Sequence, residues 1–231
     1  MAKDIPVITI DGPSGSGKGT LSLLLARKLG WNFLDSGSLY RILAFSAMQS
    51  GLDERDAIHL SEHALKMEAE FVDSAEPSQA ARIYLKGQDI TEAIRTESCG
   101  NQASKLAALE PVRAALLERQ REFCKLPGLV ADGRDMGTVV FQNAPLKFFL
   151  HASSEERAKR RYLQLKEKRL DVNLQHLLVE LNKRDQRDTT RAVAPLRQAQ
   201  DALLIDTDNK SIEAVFNEVF CLVKEKLGGF I

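Results

Sequence analysis

The residues best suited to chemistry lie near the N-terminus. Gly12–Thr20 reads GPSGSGKGT, four glycines and one lysine in nine positions, directly after the apolar run PVITID. Such a stretch cannot pack a core. The spacing of Gly12, Gly17 and Lys18 is that of a phosphate-binding loop placed between a strand and a helix. Glycines let the backbone turn its N–H groups inward with no Cβ in the way, and the positive end of the following helix adds to the attraction for an anion. Pro13, Ser14, Gly15 and Ser16 complete the cradle, and Lys18 is expected to reach the outer phosphates of ATP. The residue after Lys18 is Gly19, not Ser or Thr, so Ser16 and Thr20 are the nearest hydroxyls for a metal or the phosphates.

A phosphate loop alone does not choose among regulator, motor and kinase. No guanine-reading NKxD occurs, and the chain is short for a helicase or transporter ATPase. In LVADGRD, Asp132 falls at the carboxyl end of a strand, where ligands of open α/β sheets gather. It is either an orienter of Mg²⁺ through water or a strand-end aspartate capping a turn. Arg41 lies one helical turn after DSGS, and Arg134 follows Asp132. Residues 157–191 hold 11 Lys/Arg against 5 Asp/Glu. There KRDQRDTTR sets Arg184, Arg187 and Arg191 on one helix face, while Arg184 and Asp188 have the spacing of an ion pair. A charged run of this kind is ordinarily a solvated face or a nucleic-acid patch. Beside a phosphate loop it suits phosphoryl transfer, which needs positive groups to neutralise charge on the transferred group. A mobile segment that closes also excludes water.

The elements that must carry these residues alternate between strand and helix. Val7–Ile10, Asn32–Leu34, 128–135, 147–152 and 202–209 read as strands; helices are expected at 20–30, 38–50, 53–65 and 92–124 (broken at Pro111), from Ser153, and from Ser211 to Leu227. Ser153 with Glu156 has the form of a capping box. The order implies a parallel sheet covered on both faces. AEFV and ARIYLKGQDI, separated by DSAEPS, suggest a small antiparallel patch at 68–90.

At 231 residues and 44% hydrophobic composition the chain can bury a large core. Lys plus Arg equals Asp plus Glu at 32 each, so no whole-protein field draws it to nucleic acid or lipid. Three cysteines, widely spaced, suggest neither a zinc site nor a disulfide framework. No signal peptide and no membrane span are apparent, so a cytoplasmic location is expected. His59, His63, His151 and His176 are read as surface or packing residues.

GPSGSGKGT, DSGSLYR, ADGRDMGTVVF and RDQRDTTRAVAPL together resemble the bacterial cytidylate kinases, across nearly the whole chain. GKGT is shared with other nucleoside monophosphate kinases, which accounts for Gly19. The resemblance implies an α/β P-loop NTPase core with a five-stranded parallel sheet (1–36, 114–156 and 193–231), an NMP-binding domain with the β-rich insertion (37–113), and a helical lid (157–192). It implies a monomer that transfers the γ-phosphate of ATP to CMP and dCMP with Mg²⁺ and no prosthetic group. Gly12–Thr20 would hold ATP, with Arg157 and Arg161 on the lid side; Thr20 and Asp132 are the metal candidates. Ser36, Arg41, Ser104, Arg113, Arg134, Asp135, Arg184, Asp188 and Arg191 would bind CMP: Arg41, Arg134 and Arg191 at phosphate, Ser104, Arg113 and Asp135 at the base, Arg184 and Asp188 at the sugar. Lys18, Arg134, Arg184 and Arg191 would assist transfer. A carboxylate and a guanidinium match cytosine's amine and acceptors, whereas uracil would turn a lone pair toward Asp135. Sibling kinases acting on AMP, UMP or shikimate are the nearest alternative. A nucleotide-gated RNA-binding module using residues 157–191 is a different class, and zero net charge without an aromatic stacking platform argues against it.

Overall fold

The computed structural model describes residues 5–72 and 81–229. The DSAEPS turn lies outside them. By contacts the chain divides into two units, residues 1–34 with 124–231, and residues 35–123.

In the first unit, five parallel strands are arranged β2-β6-β1-β7-β8. They are β1 (Val7–Asp11), β2 (Asn32–Asp35), β6 (Leu129–Gly133), β7 (Leu146–His151) and β8 (Leu203–Asp206). β1 and β6 are buried along their whole lengths, which is why they read as unbroken apolar runs. The helices α1 (Lys18–Leu29), α6 (Ser154–Glu167), α7 (Leu174–Thr190) and α8 (Ile212–Leu227) belong to this unit. Leu21 and Leu25 of α1 and Val219 and Val223 of α8 are fully buried with Ile8, Ile10 and Phe148 of the sheet. Trp31 packs as a structural residue: its ring lies so close to Gly128 that a Cβ there would come within 2.4 Å of it.

The second unit has its own apolar core, in which Leu43 of α2 (Ser36–Gln49), Leu60 of α3 (Ala57–Lys66), Leu106 of α4 (Glu97–Leu106) and Leu116 of α5 (Glu110–Arg121) are buried. Its antiparallel sheet orders β3 (Ala69–Val72), β4 (Arg82–Leu85) and β5 (Gln88–Asp89). Lys86 and Gly87, both at positive φ, make the two-residue turn that joins the last two.

Several helix boundaries differ from the sequence reading, each for a local reason. Pro111 does not break a helix: the break falls at residues 107–109, and Pro111 sits in the first turn of α5, where no N–H is needed. α5 packs in the second unit, so the domain boundary expected after residue 113 cuts through a helix. α3 begins at Ala57 because Asp56 caps it; Asp53 instead accepts the N–H of Arg55 in a turn. Only half of the capping box at α6 forms. Ser153 Oγ accepts the N–H of Glu156, but the N–H of Ser153 goes to Asp208. α7 ends at Thr190, and Arg191 turns out of the helix with extended dihedrals, so it does not share the face of Arg184 and Arg187.

Candidate functional site

The glycine-rich loop leaves the carboxyl end of central strand β1 and enters α1. Its first residue runs hard against β7: a Cβ on Gly12 would lie 2.5 Å from the carbonyl oxygen of Leu150. Gly17 caps α1 in the left-handed conformation, and its carbonyl accepts the N–H of Leu21 at 3.0 Å. The loop's carbonyls are held by side chains. Lys18 Nζ donates to Pro13 at 3.1 Å, Arg157 Nη1 to Ser14 at 3.0 Å, and Thr207 Oγ1 to Ser16 at 3.2 Å. With carbonyls occupied in this way, the main-chain amides are the loop's natural anion donors.

Arg157 is therefore a brace. Beyond Ser14 it donates to Ala152 and pairs with Asp185 of α7 at 2.5 Å, and it is buried. Arg161 reaches Gln164 on its own helix. Arg160, which the sequence reading passed over, donates to Thr207 and lines a cleft of about 260 Å³ beside the loop with Ser16, Gly17, Thr20, Thr207 and Lys210. Its signal in the sequence is weak, one arginine among several. Thr207 and Lys210 follow the carboxyl end of β8, where ligands of such sheets gather.

Asp132 is the next-to-last residue of β6, beside the first turn of α1. A Cβ on Gly19 would lie 3.1 Å from Asp132 Oδ2, so the glycine after Lys18 leaves room for this carboxylate. Thr20 follows on the same turn and is exposed. Among the described residues no group of three or more His, Cys, Asp or Glu side chains is placed to hold a metal. One carboxylate and one hydroxyl suit Mg²⁺, which keeps several waters and draws its remaining oxygens from substrate phosphates.

After β6 the chain makes a tight π-helical turn, Met136–Val140, that the sequence reading did not foresee. Arg134 and Asp135 lead into it. Arg134 Nε donates to Asp188 Oδ2 of α7 at 3.0 Å. Asp135 accepts from Arg191 Nη2 at 3.5 Å, and both of these side chains are at most 5% exposed. Arg191 Nε also donates to Ala194 at 2.7 Å. Burial pulls the Arg134 guanidinium toward the neutral form, but Asp188 and Asp132 outweigh it and raise its pKa, keeping it charged. Arg184 lies on α7 one turn before Asp188. Thus Arg134, Asp135, Asp188 and Arg191, scattered over 58 positions of sequence, form two ion pairs, Arg134 with Asp188 and Arg191 with Asp135, that start from neighbouring residues of one loop.

In the second unit, Asp35 caps α2 by accepting the N–H of Ser38 at 3.1 Å and its hydroxyl at 2.5 Å, so serine at position 38 reinforces the cap. Ser36 is buried in the first turn. Arg41 Nη1 donates to the carbonyls of Ile94 and Thr96 at 2.7 and 3.2 Å. Ser104 is buried on α4, and Arg113 of α5 donates to Ala107, just past the end of α4, at 3.2 Å. The histidines stay apart from these groups: His59 pairs with exposed Asp56, and His63 shares a hydrogen bond with Ser46.

Residues 8–225 match the family model described as cytidylate kinase. A cytidylate kinase of Stutzerimonas stutzeri (strain A1501) is 57% identical over 230 residues, covering 98% of each chain. One of Pseudomonas aeruginosa (strain LESB58) is 57% identical over 215 residues, covering 93% of each chain.

Proposed function

The chain belongs to the cytidylate kinase family and is an enzyme that phosphorylates CMP with ATP as donor; from that premise we propose how its residues divide the work. The amides of Gly12–Thr20 and the Lys18 ammonium bind the triphosphate, and the cleft lined by Arg160, Thr207 and Lys210 takes the nucleoside end. Ser36, Arg41, Ser104 and Arg113, with Arg134, Asp135, Arg184, Asp188 and Arg191, bind CMP. Asp135 accepts from the cytosine amine, and Arg134 and Arg191 lie on phosphate. The observation that carries this reading is the pair of ion pairs, Arg134 with Asp188 and Arg191 with Asp135. Two guanidiniums, Arg191 buried and Arg134 largely so, each set against a buried aspartate, are what a phosphoryl group needs as its charge spreads in transfer.

No general base is required, because a phosphate monoester loses its second proton near pH ~6 and the acceptor oxygen is already anionic. Mg²⁺, when bound with ATP, neutralises charge on the β- and γ-phosphates. Asp132 would orient it, directly or through water, with Thr20 on the adjoining turn. Arg157 keeps the loop in shape through Ser14 while tying α6 to α7 through Asp185. Residues 157–192 act as the lid, whose closure excludes water from a reaction in which water is a competing acceptor. The same reading extends to dCMP as a second acceptor and to a cytoplasmic monomer, which the odd and widely spaced cysteines suit.

The test is ADP formation from ATP and Mg²⁺ with CMP, dCMP, UMP, AMP and shikimate offered singly. CMP and dCMP should each stimulate ADP release well beyond the others. Stimulation by AMP or shikimate but not by CMP would overturn the assignment of Asp135 and Arg113 to cytosine.

A further inference from the structure

Asp11 is the last residue of β1 and the immediate neighbour of the phosphate loop, yet its carboxylate does not serve that loop. It is 4% exposed, and its two oxygens accept the main-chain N–H groups of Met136 and Gly137, at 2.9 and 2.8 Å. Those are the first two residues of the π-helical turn, and the two before them are Arg134 and Asp135. The turn is also held at its far end. Lys147 of β7, itself buried, donates to the carbonyl of Gln142 at 2.6 Å and pairs with Asp201 at 2.8 Å. Between these points the backbone lies flat on the sheet: a Cβ on Gly137 would come within 2.9 Å of Thr9 Oγ1 and 3.1 Å of Lys147 Cδ.

π-helical turns are rare and are frequently found at functional sites. Here two of its N–H donors go to a side chain on the next strand. Burying a carboxylate at the end of a central strand is costly unless its hydrogen bonds are good. The turn it steadies is entered through Arg134 and Asp135, whose side chains reach Asp188 and Arg191.

We propose that Asp11 is a positioning residue for the acceptor nucleotide: by holding the Met136 and Gly137 amides it sets Arg134 and Asp135 in the geometry that binds CMP. The inference rests on the reading above that Asp135 and Arg134 contact CMP. It assigns to a residue beside the ATP loop an effect on the other substrate, which adjacency in sequence would not suggest. Gly137 is part of the same device, because only a residue without Cβ lets the turn approach β1 and β7.

The experiment is steady-state kinetics with CMP and ATP varied in turn, on D11A, D11N, G137A, D135A and the D11A/D135A pair, each checked for cooperative thermal unfolding. D11A should raise KM for CMP about tenfold or more while KM for ATP stays within twofold. D11N, which keeps one acceptor oxygen, should recover part of the loss. G137A leaves Asp11 intact and should show the same one-sided change, which keeps the test decisive if D11A folds poorly. The double variant should raise KM for CMP by clearly less than the product of the single effects. An equal rise in both KM values for D11A and G137A would make Asp11 a support of the phosphate loop and overturn the proposal. D135A without effect on KM for CMP would instead refute the base-reading assignment on which it stands. D135A with the expected effect, and D11A and G137A without one, would refute the positioning role alone.

Discussion

At the residue scale the site is a matter of charges held where water cannot reach them. Asp135 and Arg191 are nearly buried and face each other. D135A should therefore weaken discrimination against UMP far more than it weakens ATP binding, because the cytosine amine loses its acceptor. Relative kcat/KM values for CMP and UMP measure this, and an unchanged ratio would remove Asp135 from base recognition. Asp11 offers a second prediction. Burial pushes its carboxyl from the ordinary 3.8 up to about 7; the N–H groups of Gly137 and Met136 oppose that, and Asp135 and Arg134 act in opposite directions. Lys147 packs on the same glycine. A carboxyl whose folded pKa is raised contributes stability below the unfolded value and loses it as pH rises through the folded value. Between about pH 4 and pH 7 the wild-type protein should thus lose stability relative to D11N, by at most about 4 kcal/mol. Denaturant midpoints of both proteins at pH 4.5 and pH 7.5 will show it; a constant difference would mean that Asp11 is ionised in the fold throughout.

At the element scale the loop depends on what surrounds it as much as on its own glycines. G12A would drive a Cβ to 2.5 Å from the Leu150 carbonyl, so the loop must move. KM for ATP should rise at least about tenfold, with KM for CMP changing much less; equal changes would mean that the loop serves both nucleotides. Much of this was legible in sequence. The glycine-rich loop, its strand and its helix are local features, each marked by residue types at fixed spacing. The strand-helix alternation is local too, which is why the five-stranded parallel sheet and the antiparallel patch were both readable. What escaped was non-local. Nothing in MGTVV announces a π-helical turn, because its donors are satisfied by Asp11, 125 positions away or more. The departure of Arg191 from α7 likewise depends on Ala194 and Asp135 as partners rather than on helix propensity.

At the scale of the whole molecule, two cores support two sets of residues. One core joins α1 and α8 to the sheet that carries the loop; the other joins α2 to α5 around Leu43, Leu60 and Leu116. Each core is made of side chains that are almost entirely buried, so truncation leaves a cavity. L25A, in the first, should cost about 2–5 kcal/mol; a loss below about 1 kcal/mol would mean that the sheet and helix repack around the gap. The composition pointed to a large core and the strand–helix alternation to a parallel α/β sheet, and the fold bears both out. The pairing of Arg134 with Asp188 and of Arg191 with Asp135 was not foreseen, since spacing along the chain says little about residues that meet after an intervening strand, β7, and helix, α6.

The account turns on guanidinium groups, not a proton acceptor, carrying the transfer. The most direct measurement is kcat of R191A with ATP, Mg²⁺ and CMP all saturating. A fall of about 100-fold or more, with KM for ATP within twofold of wild type, is the expected result. A kcat within twofold of wild type would contradict it, and would reduce Arg191 to a buried structural partner of Asp135.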